Sequence, residues 1–301
     1  MRDTETPRKR ATRALAALAL ALTTVLLLSA CVGSPAGPSV GPGPDGQNSD
    51  LPGPGSGEAP DEGGATPGPA AAADMSDYER YAAARAAVVN GSSYSFDMSL
   101  VSTREDGQET STMTQDGTQQ LVRTQGGIEA SQGSTVQNNG VAETSLLYYR
   151  DGYMYLDDNG KKSKAALLPE EAEERFGANL PTLSEADVIE HSATDNASGG
   201  VELMFVVKGS NFGFTDVSAA TIDSGYADFL SQLTHEDGTL VATLDQAGNL
   251  TKVVLKYRYS YSANGQQLSV SNTFTVGNIR VGSVSAIYFP DDLASYQDFM
   301  P

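Results

Sequence analysis

Six Asx-Gly or Gly-Gly pairs recur between residues 106 and 160, and they constrain the fold more than anything else in the chain. They are Asp106-Gly107, Asp116-Gly117, Gly126-Gly127, Asn139-Gly140, Asp151-Gly152 and Asn159-Gly160. Such pairs supply the positive φ angles that tight hairpins need. The segments between them are short and rich in polar residues: 109–115, 118–125, 128–132, 143–150 and 153–156. Just upstream, Tyr94, Phe96, Met98 and Leu100 alternate with Ser95, Asp97 and Ser99. That is the pattern of a strand with one face buried. The same spacing returns near the C-terminus. There Leu240, Ala242 and Leu244 are followed by a turn at 246–249, then Val253, Leu255, Tyr257, Tyr259 and Tyr261. A second turn at Asn264-Gly265 leads into Leu268, Val270, Phe274 and Val276, and a last short strand is expected to end at Tyr288-Phe289-Pro290. Sequential hairpins of this kind predict an antiparallel meander.

Helices interrupt the pattern. Met75 to Asn90 carries Tyr78, Tyr81, Ala82, Arg85, Val88 and Val89 at helical spacing. Ser76 with Glu79 three residues later reads as a capping box, and Asn90-Gly91 as a stop. Pro169 followed by Glu170, Glu171, Glu173 and Glu174 suits a helix N-terminus, with Gly177 as its end. Ser184 to His191 reads as a short helical turn, Val201 to Val207 as a strand apolar on both faces, and Thr215 to Leu233 as a helix. Hairpins with helices that need a surface to pack on predict an α+β fold. The expected architecture is a curved antiparallel sheet, a half-barrel, with the helices packed on its concave face.

The N-terminal 74 residues read differently. Arg8, Lys9, Arg10 and Arg13 precede an apolar run from Ala14 to Leu28, which ends in Leu28-Ser29-Ala30-Cys31. A basic region, an apolar stretch and small residues at a cut site make a secretory signal. The run is shorter than the roughly 20 residues a membrane-spanning helix needs. Leu-Ser-Ala-Cys resembles the lipobox of bacterial lipoproteins. That resemblance implies diacylglycerol on the Cys31 sulfur, cleavage before it, and a mature chain that begins at Cys31. Cys31 is the only cysteine, so no internal disulfide can form. Val32 to Asp74 holds nine prolines and eleven glycines among 43 residues, with no aromatic or basic residue. Such a segment cannot bury enough apolar area to offset the entropy of ordering it. A flexible chain of this length spans about 35 Å, which suits a tether. The expected organisation is a signal peptide at 1–30, a lipidated cysteine and disordered linker at 31–74, and a folded domain at 75–301.

Charge narrows the partners. The chain carries a formal charge of −19, and without residues 1–30 it carries −22. Such a surface repels nucleic-acid phosphates and anionic headgroups, so no nucleic acid is expected as a partner. Membrane attachment is expected through the acyl chains on Cys31, at the extracytoplasmic face of the cell membrane.

From Met75 to Pro301 the layout resembles the half-barrel envelope lipoproteins. These include the periplasmic lipoprotein carriers, the mycobacterial lipid-binding lipoproteins and uncharacterised Gram-positive lipoproteins. The residues that carry the likeness are Asp245, Gly248-Asn249-Leu250, Lys252 and Tyr288-Phe289-Pro290. The resemblance implies an apolar pocket between sheet and helices and carries over no catalytic residue. The inward side of the strands supplies candidates for that pocket: Tyr94, Phe96, Met98, Phe205, Tyr257, Tyr259 and Phe274. The same aromatics could instead simply fill a core under the helices.

No catalytic motif is present: there is no Gly-x-Ser-x-Gly elbow, phosphate loop or His-Glu-x-x-His. His191 and His235 are the only histidines, and both read as solvated surface residues. Asp157-Asp158-Asn159-Gly160 lacks the downstream glutamate of a calcium loop and reads as a turn. The expectation is a non-enzymatic protein without cofactor or metal. Two functions fit. One is a membrane-anchored carrier or binding module for an apolar ligand such as a lipid or lipopeptide. The other is an interaction or structural lipoprotein with a filled core, contacting an envelope protein or wall polymer.

Overall fold

The computed structural model describes residues 75–298, apart from 108, 139, 179, 210–232 and 264–265. The chain opens with helix α1 (Asp77–Val89). A meander follows: β1 (Ser93–Glu105), β2 (Thr110–Thr124), β3 (Gly127–Asn138), β4 (Val141–Arg150), β5 (Tyr153–Asp158) and β6 (Lys161–Ala166). Next come helix α2 (Pro169–Phe176), β7 (Val188–Asp195) and β8 (Val201–Val207). The last strands are β9 (Thr234–His235), β10 (Gly238–Leu244), β11 (Leu250–Ala263), β12 (Gln266–Val281) and β13 (Gln297–Asp298).

The strands form one curved, unclosed sheet in the order β13-β6-β5-β4-β3-β2-β1-β12-β11-β10-β8-β7, with β9 paired to β11. Every pairing is antiparallel except that of β13 with β6. The turn chemistry accounts for two of the hairpins directly. Asp151 and Gly152 have φ of 53° and 79°, and Asn159 and Gly160 have 51° and 86°. Positive φ at both central residues is what a type I′ turn requires. Asp157 accepts a hydrogen bond from the Gly160 amide at 2.8 Å, so this stretch is the turn it reads as.

Sheet order sets the course of two connections. β6 lies near one edge and β7 at the other, so residues 167–187 have to cross the sheet. They cross on the face that carries α1, and Ala172, Phe176, Ala178, Leu180 and Leu183 are buried there. Tyr81 donates to the Pro181 carbonyl at 2.5 Å, Tyr78 to that of Leu183 at 3.2 Å, and Arg85 to that of Leu180 at 3.2 Å. From β12, in the middle of the sheet, residues 282–296 travel to β13 across the opposite face. Phe289 lies 6.1 Å from Tyr148, and Tyr296 stands edge-on to Tyr155 at 5.6 Å. Side chains alternate along a strand, so Tyr149 points the other way and packs on Phe176 at 6.1 Å.

The core lies between the sheet and the two helices. Tyr81, Ala84 and Val88 of α1 and Ala172 and Phe176 of α2 meet Tyr94, Phe96, Leu121, Leu203 and Phe205 of the strands. The sheet also caps α2. A helix leaves its last carbonyls without intrahelical donors. Here the Phe176 carbonyl accepts from the Tyr94 hydroxyl at 2.5 Å and from Gln119 Nε2 at 2.7 Å, and the Gly177 carbonyl accepts from the same amide at 3.0 Å. Arg123 ties the two helices together, donating to the Val89 carbonyl at 2.9 Å and to Glu173.

Several expectations need correction. Asp116-Gly117 is no turn: β2 passes straight through it, with Asp116 opposite Ser99 and Gly117 opposite Met98. A β-carbon at Gly117 would come within 2.6 Å of the Gly133 carbonyl oxygen, so the glycine serves a close approach of two strands. The last strand does not end at Pro290; β12 stops at Val281, and the residues around Pro290 form the irregular crossing. Ser184 to His191 is a single 3-10 turn at Glu185–Asp187 that passes into the edge strand β7. β8 alternates, with Glu202 exposed, because one of its faces looks away from the helices. The expected helix at 215–233 and the turn at 264–265 lie outside the described residues, apart from Leu233.

Candidate apolar ligand face

The strand registers decide which of the seven sequence-predicted residues meet. Tyr94, Phe96 and Phe205 are fully buried in the core. Tyr94 and Phe96 stack at 5.6 Å, and Phe205 lies 5.9 Å from Tyr81. Met98, Tyr257 and Phe274 are half-buried at the margin of that core. Tyr259 is half-buried two residues beyond Tyr257 on the same face. Met98 pairs with Val276 and Val276 with Val253, while Leu100 pairs with Phe274 and Phe274 with Leu255. Tyr257 pairs with Asn272 and Tyr259 with Val270. Met98, Phe274, Tyr257 and Tyr259 therefore share one stretch of β1, β12 and β11.

That stretch extends past the helices. Leu100, Leu268 and Val270 are buried on the helix face of the sheet, yet they belong to none of the packing around α1 and α2. Tyr259 and Tyr261 stack at 6.4 Å, and the His235 ring lies 6.0 Å from Tyr259. His235 is thus half-buried on this face, whereas His191 is exposed and hydrogen-bonded to Asp77 at 2.9 Å. Burial pushes the Tyr257 phenol well above its ordinary value and holds the His235 imidazole below its own. Both groups are uncharged near neutral pH.

Polar side chains that the sequence pattern conceals stand on the same face. Gln119 is fully buried and Asn272 is 5% exposed. Gln115, Gln119 and Gln132 each keep a side-chain carbonyl oxygen with no hydrogen-bond partner, and Asn272 keeps its amide nitrogen so. Register puts Gln119 opposite Gln132, and Asn272 between Tyr257 on β11 and Ser102 on β1. Buried polar groups are as a rule satisfied, so each such group asks for an explanation. An apolar surface with a few polar groups is what small-molecule sites present. The only signal in the sequence is parity: Gln115 and Gln119 fall in step with Leu121, and Asn272 with Phe274. Polar residues at those positions read as loop or solvated strand.

A groove of about 620 Å³ lies elsewhere, on the face away from the helices. Of the seven predicted residues only Met98 borders it. Among the described residues no group of three or more His, Cys, Asp or Glu could hold a metal ion, and no helix is long and apolar enough to cross a membrane.

No protein-family model and no curated protein sequence matches the chain. Among solved structures it is similar to LprF from Mycobacterium bovis, at 13% identity and a TM-score of 0.32, over 71% of this chain and 96% of that one. It is similar to a DUF1329 family protein from Desulfovibrio piger, at 10% identity and a TM-score of 0.25, over 73% and 98% of the two chains. It is also similar to an outer membrane lipoprotein-sorting protein domain from Vibrio parahaemolyticus, at 10% identity and a TM-score of 0.20, over 72% and 96%.

Proposed function

We propose that the chain is an extracytoplasmic lipoprotein, held to the membrane by diacylglycerol on Cys31, whose folded domain binds an apolar ligand between sheet and helices. The ligand is a lipid or lipopeptide, and the protein carries or presents it without chemistry. Its acyl part would lie along Met98, Phe274, Tyr257 and Tyr259, on the concave side of the half-barrel, with Tyr94, Phe96 and Phe205 as the packed floor. The observation that carries this reading is the set of unpartnered atoms beside that apolar face: the side-chain carbonyl oxygens of Gln115, Gln119 and Gln132 and the amide nitrogen of Asn272. A ligand headgroup or ester with hydrogen-bond donors and acceptors would satisfy them. The complete burial of Tyr94, Phe96 and Phe205 favours the second reading, an interaction lipoprotein with a filled core.

Tyr259→Ala separates the two. A filled core should lose about 3–5 kcal/mol on this truncation, as other buried large side chains do. A ligand-lining ring packs against fewer protein atoms, so its loss should cost about 1 kcal/mol while retention of lipid falls. The measurements are a denaturant melt and native mass spectrometry of the protein purified from its own membranes. Severe destabilisation, with no lipid retained by the wild type, would leave the interaction module.

A further inference from the structure

The face turned away from the helices carries a groove of about 620 Å³, within the size range of ligand sites. It runs across five neighbouring strands, β12, β1, β2, β3 and β4. Strands lie about 4.8 Å apart, so the groove is about 19 Å long. Its floor is backbone and hydroxyl. Gly133 and Gly277 sit where other residues would raise side chains, and a β-carbon at Gly277 would meet no heavy atom within 4 Å. Thr118, Ser99 and Thr275 contribute hydroxyls, one from each of three adjacent strands. Two carboxylates border it. Asp97 is held by the Asn278 side-chain amide at 2.5 Å, and Asp116 has no side-chain partner among the described residues. Asp116 faces Ser99 and Asp97 faces Thr118, so the two residues are diagonal neighbours, with a backbone spacing of about 7–8 Å. Beyond Leu146 the same strand face continues to Tyr148, on which Phe289 packs, and the adjoining Tyr288 ring is 93% exposed.

This chemistry is selective. Protein interfaces centre on buried aromatic or arginine anchors, and the floor of the groove has none. Two carboxylates oppose phosphate, which argues against nucleic acid and phospholipid headgroups. Hydroxyls and carboxylates over a floor kept low by Gly133 and Gly277 suit a chain of hydroxyl groups. Their repeat along the groove suits an extended polymer over a compact molecule. We propose that this groove is a second binding site, for an extended glycan strand, independent of the apolar face behind it.

The test uses the mature lipidated chain in detergent and ligand-observed NMR with N-acetylchitotetraose, with the coiled α-linked maltotetraose as comparison. Wild type should bind the β-linked probe saturably and the α-linked one more weakly. Gly277→Leu fills the groove from an open position, and Asp116→Ala removes an exposed acceptor. Each should weaken binding about tenfold or more, the scale of one or two lost hydrogen bonds. Melting temperature and retained lipid should stay unchanged in both variants, which separates this site from the lipid site. Absence of saturable binding by the wild type, or binding undiminished in Gly277→Leu and Asp116→Ala, would overturn the proposal.

Discussion

Tyr257 shows how one residue joins the candidate site to stability. Its phenol stands on the helix face of β11 opposite Asn272, and burial raises its pKa, with the neighbouring Tyr259 adding to the shift. In the unfolded chain a tyrosine ionises near pH 10. The native state therefore keeps its proton where the unfolded state has lost it. The resulting stability is fully present below about pH 10 and is lost as pH rises from there towards the native value. The melting temperature should fall between about pH 9 and pH 11, and Tyr257→Phe should make that fall shallower. An identical slope in the variant would show that Tyr257 titrates as freely in the native protein as in the unfolded one. The aromatic parity of Tyr257, Tyr259 and Tyr261 is plain in the sequence. That of Gln119 and Asn272 is not, because a buried amide is legible only once its cross-strand neighbours are known.

At the scale of elements, the capping box and the Asx-Gly turns at 151–152 and 159–160 decided α1 and two hairpins, whereas the same kind of pair at Asp116-Gly117 misled. The Ser76–Glu79 capping box is present in both directions, with the Ser76 amide donating to Glu79 at 2.7 Å and the Glu79 amide to Ser76 at 3.3 Å. It sets the start of α1 from four consecutive residues. By contrast, the tight strand contact at Gly117 and the two crossings of the sheet depend on which strands lie at the edges. α2 is the informative element. At eight residues it is too short to hold by itself, and its C-terminal carbonyls rely on Tyr94 and Gln119 from the sheet. Gln119→Leu keeps similar bulk, but it removes two hydrogen bonds and leaves the Gly177 carbonyl without the Gln119 donor. The expected cost is about 1–3 kcal/mol, read from denaturant melts, together with faster amide exchange across α2. Unchanged exchange in α2 would show that apolar packing of Phe176 and Ala172 alone holds it.

At the scale of the whole molecule, the proposed reading has to explain how so acidic a sheet protein would stay at a membrane. The antiparallel class was legible because Asx-Gly turns and period-2 alternation are local. The open order of the sheet was not, because the pairing of β1 with β12 joins residues about 180 apart in sequence. That order leaves a domain whose described helices are 13 and 8 residues long, too short to span a bilayer. Its charge of −22 beyond residue 30 opposes anionic headgroups. In the proposed reading the anchor is Cys31, which lies outside the described residues. A single acyl chain gives only marginal binding, whereas two or more chains on one residue hold stably. Cys31→Ala should therefore shift the protein from the membrane fraction to the soluble one, or leave it with its signal peptide uncleaved. The membrane-bound remainder should then carry the mass of the full 301-residue chain. The readout is fractionation at high salt with intact-mass measurement of each fraction. High salt matters, because it screens residual charge contacts and leaves acyl anchoring intact. A Cys31→Ala protein of mature mass still in the membrane pellet at high salt would show that the folded domain binds the bilayer itself, and lipidation would no longer explain its place in the cell.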